Sequence, residues 1–441
     1  MELKYFGTDG IRGRAFAPPL TIEETFRWGR AWAKAATDNG IKALVAGWDG
    51  RTSCEPLLLA FLAGFGSKIE TVLLGVVPTP AVAWIVSKRP QAWGLVVSAS
   101  HNPPDDNGLK GFDTSGEKLS EDVEQAIEAA FATAATPSAA ELSALQEKHL
   151  NIQQREMENY LGCLGGIVMP STFPIVVDCA HGATAPWAER LFSGAVQWLG
   201  TPAIGEKINV GIGSTHLDAV RQKVQSEKAA LGVAFDGDGD RCLMVTGSGE
   251  LIDGDQMAWL LAFDRHERGE RPDGLIGTLM SNGGLEQRLS ELGIPFLRTP
   301  VGDKYMIREM KRTGWDLAAE ASGHIIQRHL GPSGDGMATA LSVLRALADK
   351  PEAERWGWRF QPWPLELVNI KTKCRSALEE CRALQKAIKE IEQEQGGSIR
   401  LVVRWSGTEP LLRLMAEAKD GLQVKRALDR LMEAAKEDML V

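Results

Sequence analysis

The chain has 441 residues, too many for one hydrophobic core, so three or four domains are expected. Its apolar share of 44% and charged share of 24% are those of an ordinary globular protein. With 49 basic against 58 acidic residues the net charge is −9, which argues against nucleic acid or an anionic membrane as the main partner. Any anionic ligand must then be held by a local group of basic side chains. Met1 leads straight into Glu2, Lys4 and Asp9 without a signal-like apolar run, and no stretch reaches the roughly 18 apolar residues of a membrane span. The six cysteines (Cys54, Cys163, Cys179, Cys242, Cys374 and Cys381) form no C-x-x-C pair. They suit scattered core thiols in a reducing compartment rather than a disulfide framework or a zinc site, and a cytoplasmic location is expected. The thirteen tryptophans show no catalytic pattern and are expected in the core and at domain contacts.

In chain order, the first feature is Phe6-Gly7-Thr8-Asp9-Gly10-Ile11-Arg12-Gly13, three glycines and one arginine read as a loop that enters the first strand. A recurring plan follows: short apolar strand, Gly-rich or polar turn, amphipathic helix. Residues 43–48 lead into Asp49-Gly50-Arg51, and residues 93–97 into Ser98-Ala99-Ser100-His101-Asn102-Pro103, with Asn107-Gly108-Leu109-Lys110 close behind. A break rich in Ala, Thr, Pro and Ser at 132–140 precedes a helical stretch through Tyr160. Residues 175–177 lead into Asp178-Cys179-Ala180-His181-Gly182, and Leu231, Val233, Ala234 and Phe235 into an acidic cluster. After a polar turn at 247–255, residues 275–280 lead into Ser281-Asn282-Gly283-Gly284 and a helix at 285–292. Strands alternating with helices predict parallel sheets built from βαβ units, whose ligands gather at the carboxyl ends of the strands. Beyond Pro351 to Pro364 the order changes to a charged helix (376–395), a strand pair (399–405 and 411–417) and a closing helix, an α+β unit. The domain division expected is 1–150, 151–250, 251–360 and 361–441.

The acidic cluster is Asp236-Gly237-Asp238-Gly239-Asp240-Arg241. Three like charges within five residues repel, and a fold tolerates them more readily when a cation neutralises them. Carboxylate oxygens are hard ligands suited to Mg²⁺. An EF-hand loop fits Asp236, Asp238 and Asp240 at its positions one, three and five. It fails where Arg241 replaces the glycine and where Gly247 replaces the bidentate glutamate. A solvated acidic turn is the plainer alternative. Three other motifs are ambiguous singly. Ser98 to Pro103 lacks the G-x-S-x-G elbow of a nucleophile, and Ser100 and His101 are adjacent residues that rarely face each other in a turn. With a metal loop nearby, a serine oxygen or its phosphate ester could complete the metal shell, and Lys110 could supply charge to a moving phosphoryl group. Glu320-Ala321-Ser322-Gly323-His324 puts carboxylate, hydroxyl and imidazole on one turn, suited to sugar hydroxyls. Arg404-Trp405-Ser406-Gly407-Thr408-Glu409-Pro410, with Arg413, could cradle a phosphate without being a P-loop.

Taken in order, these motifs resemble the α-D-phosphohexomutase superfamily over essentially the whole chain. Gly213-Ser214-Thr215-His216 and Val301-Gly302-Asp303-Lys304-Tyr305 look like its glucosamine branch. The resemblance implies an α/β fold of three related α/β domains with mixed, largely parallel sheets plus a smaller C-terminal α+β domain around a central cleft. It implies a phosphoserine at Ser100 and one Mg²⁺ per chain on Asp236, Asp238, Asp240 and a Ser100 phosphate oxygen. Arg12, Lys110, Arg241 and His101 would serve the transferring phosphoryl group. Asp303, Glu320, Ser322 and His324 would hold the sugar, and Arg404, Ser406, Gly407, Thr408 and Arg413 the non-reacting phosphate. The activity implied is an intramolecular phosphosugar mutase working through a 1,6-bisphosphate, which also primes the enzyme. Its substrate would be a hexosamine or hexose phosphate, with glucosamine 6-phosphate to glucosamine 1-phosphate first and glucose or mannose phosphates as alternatives. A non-catalytic phosphosugar sensor and a phosphatase are the rival classes. No nucleic-acid or membrane partner is expected, and a homodimer is left open. The chain departs from the branch pattern at Ala318-Ala319 and Ala321, where extra methyl groups beside the sugar could change fit.

Overall fold

The computed structural model describes residues 3–143, 150–153, 155–167, 171–348, 350, 355–372, 377–405 and 411–438. The chain divides into two compact units, one of Met1–Thr278 with Thr299–Trp358, the other of Leu279–Arg298 with Arg359–Val441.

The first unit is built on three sheets, each with a parallel core extended by antiparallel strands. In the first, Ala43–Trp48 runs parallel to Glu70–Val76 and to Ala92–Val97. Every residue of Ala43–Trp48 is buried, which is why it reads as one apolar run without alternation. The helices Cys54–Phe65 and Thr79–Lys88 make the crossovers. From Ala92–Val97 the sheet continues antiparallel through Asp106–Phe112 and Gly10–Arg14 to Phe6–Gly7. The glycine-rich N-terminal segment is therefore a hairpin on this sheet rather than a loop, because Gly10 takes φ 83 and turns the chain back within two residues. Arg12 consequently sits on a strand, opposite Gly108.

Helix Ile22–Asp38 starts at a capping box formed by Thr21 and Glu24 and buries Phe26, Trp28 and Trp32. Trp28 stacks on Phe131 of helix Glu121–Thr133 with ring centroids 3.5 Å apart. Trp48, Trp93, Trp187, Trp259 and Trp358 are buried too, in keeping with a packing role for tryptophan.

In the second sheet Ser171–Asp178 lies parallel to both Gly194–Leu199 and Leu231–Phe235. Leu231–Phe235 then pairs antiparallel with Cys242–Thr246, Phe235 facing Cys242, so the acidic cluster is the connection of a hairpin. The polar stretch after it holds the short strand Leu251–Ile252 and Asp253, whose side chain caps helix Gly254–Glu267. In the third sheet Leu275–Thr278 is parallel to Leu317–Ala319, which turns through residues 320–324 into antiparallel Ile325–Gln327. Ala318 and Ala319 are fully buried strand residues, so these two methyl groups pack in the core.

The second unit is α+β. Leu365–Lys371 and Ile399–Trp405 both pair antiparallel with the central strand Leu411–Ala418. Helices Arg382–Gln395 and Gly421–Glu437 cover the sheet through Leu384, Ile391, Leu412, Leu414, Leu428 and Leu431. The helix expected from 376 begins at Arg382, after a 3₁₀ turn at Leu378–Glu380.

Cys54, Cys163, Cys179 and Cys242 are free thiols, Cys381 is buried, and Cys374 lies outside the described residues. Among the described residues no helix is long and apolar enough to cross a membrane.

Candidate active site

The serine loop is braced from below. Ser98 Oγ donates to Asp49 Oδ2 at 2.7 Å and accepts the Ser100 N–H at 2.8 Å. The buried Arg51 pairs with Asp49 at 2.9 Å and donates to the carbonyls of Ser100 and Asn102, each at 2.8 Å, and to those of Pro103 and Asp106. A planar fork with five N–H donors is the side chain that can satisfy so many converging carbonyls. Held this way, Ser100 takes φ 54, a left-handed conformation uncommon for a non-glycine residue and characteristic of functional turns. Its Oγ donates to Asp236 Oδ2 at 2.7 Å, and His101 Nδ1 lies 3.3 Å from Ser100 Oγ. The adjacent serine and histidine thus do face each other, contrary to the sequence expectation, in a turn where Ser100 leaves the ordinary backbone regions. Burial, with Arg241 and Arg12 nearby, pulls the His101 imidazole down to about 4, so it is neutral at neutral pH.

The acidic loop lies against this serine. A Cβ on Gly237 would sit 2.6 Å from the Ser100 carbonyl oxygen, so only glycine permits the approach. Asp236, Asp238 and Asp240 are all buried, with ligand oxygens within 4.8 Å of one another. Asp238 Oδ2 accepts from Lys110 Nζ at 2.7 Å and Thr79 Oγ1 at 2.5 Å. The second oxygens, Asp238 Oδ1 and Asp240 Oδ1, are buried without a hydrogen-bond partner. Burial, then the charges of Asp240 and Asp238, push Asp236 well above the usual carboxylate range. Unpartnered hard oxygens and an under-compensated carboxylate fit a divalent metal ion.

Cations surround the cluster. Lys110 is buried, yet Asp238 and Asp9 outweigh the burial and keep it an ammonium. Arg12 pairs with Asp9, and Arg241 Nε lies 3.8 Å from Asp240 Oδ1 while the Arg241 backbone N–H donates to Asp236 Oδ1 at 3.2 Å. Lys118 bridges Asp9, at 2.5 Å, and Asp303, at 2.9 Å.

The 320–324 hairpin presents Glu320, whose Oε1 accepts the Gly302 N–H at 3.0 Å and whose Oε2 accepts from Ser322 Oγ at 3.2 Å. Gly323 takes φ 89 and its carbonyl accepts the Cys242 N–H at 3.1 Å, tying this hairpin to the acidic one. His324 is buried with Nδ1 3.7 Å from Asp240 and Nε2 3.9 Å from Asp303. Burial works against its charge, but Asp240, Asp303 and Glu320 raise its pKa.

In the second unit Arg404 and Arg413 are direct cross-strand partners. Burial and the facing Arg413 charge lower the Arg404 pKa, the situation an anion would relieve. Ser406, Gly407 and Thr408 lie outside the described residues.

Of the residues singled out in the sequence, the first unit thus brings Ser100, His101, Arg12, Lys110, Asp236, Asp238, Asp240, Arg241, Asp303, Glu320, Ser322 and His324 into one connected network. Sequence reasoning missed Asp9, Arg51, Thr79 and Lys118. Asp9 and Arg51 stood inside motifs already noticed. Thr79 and Lys118 carried no local signal.

Four stretches match the domains of one family. Residues 3–138, 168–249 and 253–356 match the phosphoglucomutase/phosphomannomutase alpha/beta/alpha domains I, II and III, and residues 367–434 the C-terminal domain. The chain belongs to the phosphoglucomutase/phosphomannomutase family. As a member it is a mutase, an isomerase with three α/β/α domains and a distinct C-terminal domain. Among family relatives, phosphoglucosamine mutase 1 of Shewanella amazonensis is 38% identical over 99% of both chains. Phosphoglucosamine mutase of Azotobacter vinelandii is 40% identical over 98% of both. Among solved structures, a phosphoglucomutase/phosphomannomutase family protein of Burkholderia thailandensis superimposes with a TM-score of 0.78 at 25% identity, covering 99% of this chain and 98% of that one. The Paramecium phosphoglucomutase pp63/parafusin shares the fold, with a TM-score of 0.77 at 16% identity over 98% of this chain and 94% of its own.

Proposed function

We propose that the chain interconverts glucosamine 6-phosphate and glucosamine 1-phosphate through a phosphoserine at Ser100 and a 1,6-bisphosphate. The observation that carries this reading is the 2.7 Å contact between Ser100 Oγ and Asp236 within a buried three-aspartate cluster ringed by Lys110, Arg12 and Arg241. A phosphosugar sensor has no need of a nucleophile there. The sugar assignment draws on full-length relatives named phosphoglucosamine mutase.

In this reading Asp236, Asp238, Asp240 and a Ser100 phosphate oxygen hold one Mg²⁺. When bound, Mg²⁺ stabilises negative charge on the transferring phosphoryl oxygens. The phosphoryl group passes from Ser100 Oγ to the free sugar hydroxyl, giving the bisphosphate; after this turns over, the other phosphoryl returns to Ser100 Oγ. Arg12, Lys110 and Arg241 supply fixed positive charge around that path. Lys110, held as an ammonium by its carboxylate partners, acts as a donor and not as a base. Each transfer balances its own proton: the sugar hydroxyl proton ends on Ser100 Oγ as Ser100 leaves, and the Ser100 proton ends on the departing sugar oxygen when Ser100 attacks, with the neutral His101 Nδ1, 3.3 Å from Ser100 Oγ, as the base that carries it. Glu320 and Ser322 hold sugar hydroxyls beside Asp303 and His324; for Arg404 and Arg413, with Ser406, Gly407 and Thr408, the proposed ligand is a phosphate.

The test is a coupled assay on glucosamine, glucose and mannose phosphates with a trace of sugar 1,6-bisphosphate, run on wild type and Ser100→Ala. Glucosamine phosphate turnover that disappears in Ser100→Ala, whose melting temperature stays close to wild type, is expected. Undiminished activity in Ser100→Ala would sink the mechanism, and a clear preference for glucose or mannose phosphate would overturn the sugar assignment.

A further inference from the structure

Lys118 closes a ring of alternating charge that no single motif contains. From Asp240 it runs to Lys110 at 3.8 Å, Asp9 at 3.0 Å, Lys118 at 2.5 Å and Asp303 at 2.9 Å. It returns through His324, 3.9 Å from Asp303 and 3.7 Å from Asp240. Lys118 reaches this position because it follows a tight turn out of strand Asp106–Phe112. It bridges to Phe112, two residues beyond Lys110, so strand alternation puts both lysines on the same face. The two lysines then divide Asp9 between them, Lys110 on Oδ2 and Lys118 on Oδ1.

That division has a consequence for the reacting groups. Arg12 and Lys110 must give part of their positive charge to a phosphoryl group, yet both are tied to Asp9. A third cation on Asp9 weakens its hold on the other two. The same ammonium fixes Asp303, which starts the helix Asp303–Thr313 beside Gly302, and the Gly302 N–H in turn holds Glu320. Displacing Lys118 would leave His324 as the cationic ion-pair partner of Asp303 among the described residues and would let Asp9 draw Arg12 and Lys110 inward.

We infer that Lys118 is a positioning residue for phosphoryl transfer, joining the sugar-side carboxylate Asp303 to the cation pair Arg12 and Lys110 through Asp9. The inference rests on the mutase reading above. It assigns Lys118 no contact with the substrate; its effect is carried by Asp9 and Asp303.

The experiment uses the full chain with Mg²⁺ and compares wild type, Lys118→Met, Lys118→Arg, Asp303→Asn and the Lys118→Met/Asp303→Asn double variant. Turnover and glucosamine 6-phosphate binding by calorimetry are both measured, with melting temperatures as the folding control. Lys118→Met is expected to lower kcat by about tenfold or more with a smaller change in KM, and Lys118→Arg to recover most of the loss. Residues acting through one network are non-additive, so the double variant should fall little below the worse single. A Lys118→Met kcat within about twofold of wild type, or losses that simply multiply in the double variant, overturns the inference. Should the wild type bind the sugar phosphate without turning it over, the mutase reading fails. The cycle read on binding constants then decides whether Lys118 and Asp303 act together, and independent effects there overturn the coupling as well.

Discussion

Without a metal ion, Asp236 holds a proton more tightly than an ordinary carboxylate, because it is buried and faces Asp240 and Asp238. A carboxylate raised in the folded state stabilises the fold at low pH and loses that contribution as pH rises through its folded value. Metal-free protein should therefore be penalised at neutral pH. Asp236→Asn, which is neutral without taking up a proton and keeps an acceptor for Ser100, is expected to raise the melting point of metal-free protein at neutral pH, by an amount corresponding to about 1 kcal/mol or more. It should also abolish the stabilisation that added Mg²⁺ gives wild type. Thermal melts with and without Mg²⁺ check both signs, and a metal-free variant less stable than wild type would contradict this picture of the cluster.

A second buried carboxylate, Asp335, stands next to Gly336, whose N–H donates to the Gly239 carbonyl of the acidic loop at 3.0 Å. Asp335 caps helix Gly336–Ala348 through the Ala338 N–H at 2.9 Å and accepts from Tyr160 OH at 2.8 Å. Burial pushes it up to about 6. The sign is the same: its contribution is complete below the ordinary carboxylate range and is lost as pH rises through about 6. Its size is on the order of 3 kcal/mol. Asp335→Asn keeps the cap and the Tyr160 partner without titrating, so its stability should be flatter between about pH 4 and 7 than that of wild type. Denaturant melts across that range would show parallel curves if Asp335 were not the titrating group.

At the scale of elements, the site depends on how closely two turns approach. The 98–103 turn follows strand Ala92–Val97 and the 236–241 turn joins strands Leu231–Phe235 and Cys242–Thr246. They meet at Gly237, where a methyl group would press on the Ser100 carbonyl at 2.6 Å. Backbone cannot yield there as a flexible side chain would. Gly237→Ala is expected to cost about a hundredfold in kcat through displacement of Ser100 from Asp236, with the protein still folded. Circular dichroism alongside the turnover assay separates this from unfolding, and retention of wild-type kcat would show that the two turns have slack. The same close fit accounts for Arg51. A buried arginine donates to the Ser100 and Asn102 carbonyls and so braces the loop. In the sequence, Asp49-Gly50-Arg51 reads as one more polar turn after a strand, since nothing local distinguishes an arginine pointing into carbonyls from one pointing into water.

At the scale of the whole molecule, the order and spacing of motifs were legible in the sequence because each is short and demands unusual chemistry. Three aspartates separated by glycines, a serine-histidine turn after a buried strand, and a Glu-x-Ser-Gly-His turn each announce themselves within a few residues. Strands such as Ala43–Trp48 were legible as unbroken apolar runs, and the C-terminal change to α+β order as a change of pattern. Contacts between distant segments were not legible. Ser100 and Asp236 are 136 residues apart and within 2.7 Å; Lys110 and Asp238 are 128 apart and within 2.7 Å. Lys118 looks like any surface lysine until a turn, a sheet and a helix start bring Asp9 and Asp303 to either side of it. Ala318 and Ala319 show the reverse case, since methyl groups expected beside the sugar are buried strand residues. The sequence by itself determined which chemical groups are present, their family and the strand-turn-helix plan that carries them, because those depend on local pattern. Tertiary structure alone decided which carboxylate shares which cation, because charge energies fall steeply with distance and burial, and only the folded chain sets both.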